Sequence, residues 1–198
     1  MSAAKKAKDL SKKEAILTCA KELFSQKGFK DTNVPEITER VGIATGTFYL
    51  YFPSKEHLFM EIFLEENQKL KHSILEQLDL NREPQVVLQE LMERNMRGMA
   101  ENPILREWYN KEIYTKIEEK YREMNGIEKV DFVYDVFFKV IQKWQEDGKM
   151  RKDITPELIM AMFHAVIIID EHKDEIGIQF FPQIQNHLLA FILDGLKP

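Results

Sequence analysis

Residues 32–59 read TNVPEITERVGIATGTFYLYFPSKEHLF, two short helices around a tight turn, followed at once by a capped third helix. Asn33 can cap the first helix, with Glu36 three residues on as its capping-box partner and Pro35 in the first turn, where a missing N–H does no harm. Ile37 and Val41, one turn apart, give that helix an inner face. Gly42 breaks it where a left-handed residue is needed, and Ile43 can plug the angle between the two helices. Thr45 is the expected cap of the second helix.

That second helix is too short to be stable alone, and its residues divide by direction. At about 100° per residue, Phe48 and Phe52 share the inward face. Gly46 and Leu50 point the opposite way, with Thr47 and Tyr49 on the flanks and Tyr51 nearer the core edge. Glycine, threonine, leucine and tyrosine on an open face suit a surface that another molecule approaches closely. Pro53 ends the helix and Ser54 caps the next one. Lys55 then stands where free backbone N–H groups already favour a phosphate.

Together with ILTCAKELFSQKGFKDTNVPEI upstream, these residues resemble the DNA-binding domain of the TetR family of transcriptional regulators. The resemblance covers roughly residues 11–63 and is ordered and dense rather than one short pattern. Where the family usually carries Ile-Ala in the first helix of the motif, this chain has Ile37-Thr38, which puts a hydroxyl at a usually packed small position. The resemblance implies an all-α chain with an N-terminal three-helix helix-turn-helix DNA-binding domain and a basic arm over residues 1–58. A larger helical effector-binding and dimerisation domain is expected over residues 59–198. By the same resemblance Tyr49, Tyr51 and Lys55 match positions that grip phosphates, and Thr45, Gly46, Thr47 and Leu50 occupy the recognition surface. Thr47 can bond a base edge or a phosphate, Leu50 can touch a thymine methyl, and Val34 and Pro35 begin the supporting helix beside the DNA backbone. A ligand-responsive regulator, read as a repressor on double-stranded DNA, needs no cofactor and performs no catalysis.

The charge distribution agrees with that orientation. The chain of 198 residues carries −5 overall, but residues 1–58 hold ten Lys or Arg against seven Asp or Glu, a balance of +3 that leaves −8 on the remainder. The Lys5 to Lys13 stretch reads equally as a solvated tail and as a phosphate-contacting arm. No apolar run approaches the roughly 18 residues of a membrane span, and the basic start lacks an apolar signal segment, so a cytoplasmic protein without a membrane partner is expected. The single cysteine, Cys19, excludes an internal disulfide and reads as a buried structural thiol.

Helical periodicity continues to the end of the chain. Ile16, Ala20, Leu23 and Phe24 stripe a first helix that Gly28 closes, with Phe29 packing back as in a Schellman end. Further helices are expected at about residues 55–78, 85–100, 104–124 (bent or broken), 127–146, 156–171 and 180–196. Leu158, Met162, Ala165 and Ile169 make one stripe of the penultimate helix, while Phe181, Ile184, Leu188 and Ile192 stripe the last. Both helices carry more apolar surface than one core needs. The alternatives are burial all round in a single core or pairing into a two-fold homodimer, which the resemblance favours and which matches a palindromic operator.

Met92, Met96, Trp108, Tyr109, Phe137, Phe163 and His164 are candidates to line an effector pocket, although ordinary core packing explains each one taken singly. Their Met and aromatic content points to an apolar or amphipathic small molecule. The best enzyme-like cluster is His164, Asp170, Glu171 and His172, but the two histidines lie about 12 Å apart along one helix axis, too far to share a metal ion. There is no HExxH, GxSxG, phosphate loop or CxxC. A helical ligand-binding or protein-interaction module that does not bind an operator is the alternative, and it leaves the surface from Thr45 to Lys55 unexplained.

Overall fold

The computed structural model describes residues 3–126, 131–171, 173–181 and 183–198, and among these the chain is all-α. The helices are α1 (Ala3–Asp31), α2 (Val34–Val41), α3 (Thr45–Phe48), α4 (Lys55–Gln77), α5 (Pro84–Glu101), α6 (Lys111–Glu123), α7 (Asp131–Glu146), α8 (Pro156–Glu171), α9 (Lys173–Ile176) and α10 (Gln183–Gly195). Single 3-10 turns occupy Leu105–Tyr109 and Ile178–Phe180. The chain divides into two compact units, Met1–Glu76 with Arg94–Val130 and Gln77–Glu93 with Asp131–Pro198.

In the first unit the expected α1 stripe of Ile16, Ala20, Leu23 and Phe24 is buried, and it meets Ile37 of α2, Phe48, Phe52, and Leu58, Phe59 and Phe63 of α4 in one core. Phe59 meets Phe24 and Phe29 edge-on, with ring centroids 5.1 and 5.0 Å apart. Full burial of each such ring contributes about 1.5–3 kcal/mol, which is what holds α2 and α3, neither long enough to be stable alone.

The end of α1 differs from expectation. Gly28 has φ 80° and ψ 175°, outside the left-handed helical region that a Schellman end requires. Its positive φ still favours glycine, and an added Cβ would lie 2.8 Å from Glu107 Oε1. The Phe29 amide donates to that same Glu107 oxygen at 3.1 Å, while the Phe29 ring packs back on Phe24 with centroids 6.0 Å apart, as expected.

Helices α4 and α5 run antiparallel through this unit, with a register read from three rungs. Asn102 donates to Glu66 at 3.1 Å, Gly98 faces Leu70, and Lys71 donates to Asn95. A Cβ on Gly98 would stand 2.2 Å from Leu70 Cδ1, so a larger residue there would displace the Leu70 side chain.

The expected helix over 104–124 is broken. Asn102 Oδ1 accepts from the Ile104 and Leu105 amides and starts the 3-10 turn, and Asn110 Oδ1 accepts from the Glu112 amide and starts α6. The first residues of the helix expected from Ile127 lie outside the described residues, and α7 is seen from Asp131. The segment expected as one helix from Phe180 instead places a 3-10 turn before α10, and the short α9 forms between the two helices expected at 156–171 and 180–196.

The second unit packs α8 against α7 and α10. Among the described side chains of α8, Ile159 and Val166 are buried, whereas Leu158 is 51% exposed; Leu193 and Leu196 are buried at the chain's end, whereas Phe191 is 67% exposed. Trp144 is buried, and its indole N–H donates to the Leu80 carbonyl at 3.2 Å. No helix among the described residues is long and apolar enough to cross a membrane.

Candidate nucleic-acid interface

The reading element is assembled from its caps. Asn33 Oδ1 accepts from the Glu36 amide at 3.0 Å, as expected. The reciprocal half of the capping box is missing, because the Glu36 carboxylate turns to Lys27 and to Arg40, the latter at 3.5 Å. At the other end Gly42 sits at φ 73°, ψ 37°; its N–H donates to Glu39 O at 3.1 Å and the Ile43 N–H to Thr38 O at 3.0 Å, the paired bonds of a Schellman motif. The Thr38 hydroxyl, buried at the position where the resemblance leads one to expect alanine, donates to Pro35 O at 2.9 Å and lies 3.4 Å from the Thr45 hydroxyl. That satisfies a group whose burial would otherwise be costly.

Thr45 is not a cap. Ala44 occupies the N-cap position without a side-chain bond, and Thr45 is the first residue of α3. The turn continues beyond the helix through Tyr51 N–H to Phe48 O and Phe52 N–H to Phe48 O, at 2.9 and 3.0 Å. Phe48 and Phe52 are fully buried, and their ring centroids are 5.7 Å apart. The opposite face is open: Leu50 is 82% exposed and Tyr49 54%. Gly46 is exposed, and a Cβ built on it meets no atom within 4 Å. Thr47 and Tyr51 are half-buried at the flanks. On α2, Pro35 is exposed, but the Val34 side chain is in the core, so only its main chain can approach a phosphate.

Ser54 Oγ accepts from the His57 amide at 3.1 Å and opens α4. Lys55 is folded back over the α1–α2 corner: its ammonium donates to Phe29 O and Thr32 O, each at 2.8 Å, and stands 4.2 Å from the Phe29 ring centroid. Burial lowers its pKa. With two of three ammonium hydrogens engaged, one remains for an outside acceptor. Thr32, fully buried, returns its hydroxyl to Gly28 O at 2.8 Å.

Lys55 and Glu107 therefore hold opposite sides of one residue, the first through the Phe29 carbonyl and the second through the Phe29 amide. Sequence reasoning missed Glu107; a glutamate within LREWY carries no signal of a partner 78 positions away. Farther along α1, Lys13 pairs with Glu61 at 2.6 Å and lies over the Phe52 ring, while Cys19 is half-buried with its thiol toward Ile37 O and its pKa raised by burial.

The candidate pocket residues divide between the units. Met96 and Tyr109 of the first unit are half or more exposed, and Trp108 stacks on Phe63 at 5.4 Å and meets Tyr121 edge-on at 5.1 Å. In the second unit Phe137 is buried, Met92 and Phe163 half-buried and His164 exposed. His172 lies outside the described residues.

The family model for bacterial regulatory proteins of the tetR family matches residues 16–62, the segment just described. The HTH-type transcriptional regulator YdgC of Bacillus subtilis (strain 168) is 38% identical over 81 residues, 39% of this chain and 42% of that one, so the chain spans less than half of this relative's length. YfiR of the same organism, also an HTH-type transcriptional regulator, is 30% identical over 165 residues, 75% of this chain and 72% of its own length. The chain belongs to the TetR family. The match to YfiR reaches well beyond the TetR head, and the fold agrees over nearly the whole chain. FadR of Thermus thermophilus, a TetR-family repressor solved with lauroyl-CoA, superposes with a TM-score of 0.63 at 22% identity, covering 92% of this chain and 94% of that one. A TetR-family transcriptional regulator is thus the coarse identity of the molecule.

Proposed function

We propose that this regulator represses transcription in the cytoplasm by binding a palindromic operator as a homodimer, and that a small apolar or amphipathic effector releases it. The head over residues 1–58 reads DNA, and residues 59–198 pair the subunits and receive the effector. The observation that carries the reading is the division of the Thr45 to Phe52 turn: two phenylalanines fully buried beneath a face where Leu50 is 82% exposed and Gly46 meets open space. A face without a partner of its own, mounted on a rigid aromatic base, fits insertion into a major groove about 12 Å wide.

On that surface Thr47 and Leu50 read base edges, Thr45 and Gly46 allow close approach, and Tyr49, Tyr51 and the main chain at Val34 and Pro35 meet phosphates. Lys55 offers its remaining hydrogen to a phosphate while clamping the corner behind it. The exposed Leu158 of α8 and Phe191 of α10 support pairing of a second copy through these helices. The lauroyl-CoA bound in the FadR structure supports an effector for this chain too, and each unit has its own candidates to meet one: Met96, Trp108 and Tyr109 in the first, Met92, Phe137, Phe163 and His164 in the second.

Selection of bound fragments from the parent genome by the full chain, followed by footprinting, tests the reading. Protected half-sites about one helical turn apart, roughly 34–36 Å, are expected. Recovery of no preferred duplex at low salt contradicts it. Gly46→Ala sharpens the same test, because alanine in a helix is favoured by up to about 1 kcal/mol over glycine. The melting temperature should hold or rise while operator binding weakens at least about tenfold; unchanged affinity would remove the close-approach role.

A further inference from the structure

The seam between α4 and α5, within the first unit, holds a lysine whose charge no carboxylate balances among the described residues. Lys71 Nζ donates to Asn95 Oδ1, a neutral partner, and burial pushes its pKa down to about 8. Glu66, five residues earlier on α4, is occupied elsewhere: it accepts from Lys21 at 2.7 Å, Asn102 at 3.1 Å and Lys69 at 3.2 Å. Burial acts to raise the Glu66 pKa, but these bonds outweigh it and hold the carboxyl below its ordinary value. One helical turn before Lys71 on the same face, Asn67 is only 7% exposed and its Oδ1 is buried without a hydrogen-bond partner.

A buried unsatisfied carbonyl costs about 1–3 kcal/mol, and a half-buried ammonium without a counter-charge is partly desolvated at a cost as well. Leucine or methionine at either position would remove that cost. The contrast with Glu66, which has three donors, shows that this seam supplies partners where the fold itself uses a charge. Two incompletely partnered groups on one face fit a molecule that arrives later and brings what is missing.

We propose that Asn67, Lys71 and Asn95 form the polar end of the effector site and take an organic monoanion, a carboxylate on an otherwise apolar molecule. The inference rests on the effector-responsive reading above and names the chemical class of the ligand. Of the three ammonium hydrogens, one is held by Asn95 and two are left for the carboxylate oxygens. Asn67 Oδ1 accepts from a hydroxyl or amide N–H placed beside the carboxylate. Leu70 and the buried Met99 give the adjoining seam an apolar character suited to the rest of the ligand.

Calorimetry on the full chain with butanoate, octanoate and dodecanoate, each beside its alcohol and its amine, tests the site. At least one carboxylate should bind about tenfold more tightly than its matched alcohol and amine. At about pH 9 its binding should draw a proton from solution, because the anion recharges Lys71. Lys71→Met should erase the carboxylate preference at an equal or higher melting temperature, and Lys71→Gln should do the same. A β-hydroxyoctanoate should bind a few-fold more tightly than octanoate in the wild type but not in Asn67→Leu.

Equal binding of all head groups, no carboxylate binding, undiminished binding by Lys71→Met, or a marked loss of stability in both Lys71 variants would overturn the proposal. Operator release is measured separately. A carboxylate that binds at Lys71 and leaves the operator complex intact upholds the site and defeats the effector reading, whereas release with no dependence on Lys71 does the reverse.

Discussion

The reading turn over residues 33–55 and the α4–α5 seam are built from the same residue types by opposite rules. In the turn three helix ends find their partners a few residues away: Asn33 with the Glu36 amide, Ser54 with the His57 amide, Gly42 and Ile43 with the carbonyls that close α2. In the seam the partners come from distant parts of the chain, as in Glu66 with Lys21 and Asn102, or are missing, as for Asn67 Oδ1. Local satisfaction makes a rigid platform that presents a face outward. Distant and incomplete satisfaction leaves a place where something else can act.

Substitutions that strike the platform should have the largest effect. Phe48→Ala removes a fully buried ring and should cost about 3–5 kcal/mol, seen as a loss of cooperative melting of the head along with operator binding; a fall below about 1 kcal/mol would show that the platform does not rest on this ring. Glu107→Ala leaves the Phe29 amide unpaired and should cost about 1–3 kcal/mol, whereas Glu107→Gln keeps an acceptor and should retain most of that. Equal loss in both would mean that the carboxylate charge, rather than the bond, holds the corner.

The seam also responds to pH, through Lys71. Lys71 has a folded pKa lowered to about 8, below the roughly 10.4 of an unfolded lysine. Between these values the unfolded chain binds more protons, so the wild type should gain stability as pH rises through that window. Relative to Lys71→Met, whose curve lacks this contribution, the wild-type deficit should be full below about pH 8 and shrink toward about pH 10. Parallel denaturation curves across that range would show that Lys71 is well solvated.

Smaller effects separate the two helix starts. Asn33→Ala should cost about 1 kcal/mol and Thr45→Ala only a few tenths, since Asn33 caps and Thr45 does not. A reversed order in chemical denaturation would place the cap at Thr45 after all. For Lys55 the salt dependence is the more informative quantity. If Lys55 neutralises one phosphate, Lys55→Ala should reduce the slope of log K against log salt by about 0.9; weaker binding at an unchanged slope would make Lys55 a clamp on Phe29 and Thr32 alone.

What is legible in the sequence follows the same division. The all-α class, α2, the Gly42 stop, the Ser54 cap and the inward Phe48 and Phe52 can be read because each depends on neighbours within a turn or two. Thr45 looks like a cap but is not one, because Ala44 already has extended backbone geometry and the Thr45 hydroxyl has another neighbour in Thr38. The Gly28 corner departs from a Schellman end because Glu107 holds the next amide, and no local pattern announces a partner so distant. The bend or break expected in 104–124 is legible as such, but its place is set by Asn102 and Asn110 acting as caps. On the DNA-facing surface the exposed positions are legible from helical direction. Lys71 and Asn67 are not, since i and i+4 polar residues on a long helix ordinarily face solvent.

The base preferences of Leu50→Ala, compared with those of the wild type on a randomised duplex library at one fixed salt concentration, test the central claim most directly. The prediction is a relaxed preference at one or two positions in each half-site, worth about 1–3 kcal/mol, with unchanged melting and an unchanged salt slope. A uniform loss of affinity across all sequences, or an identical preference profile, would contradict the claim that the outward face of this turn reads DNA.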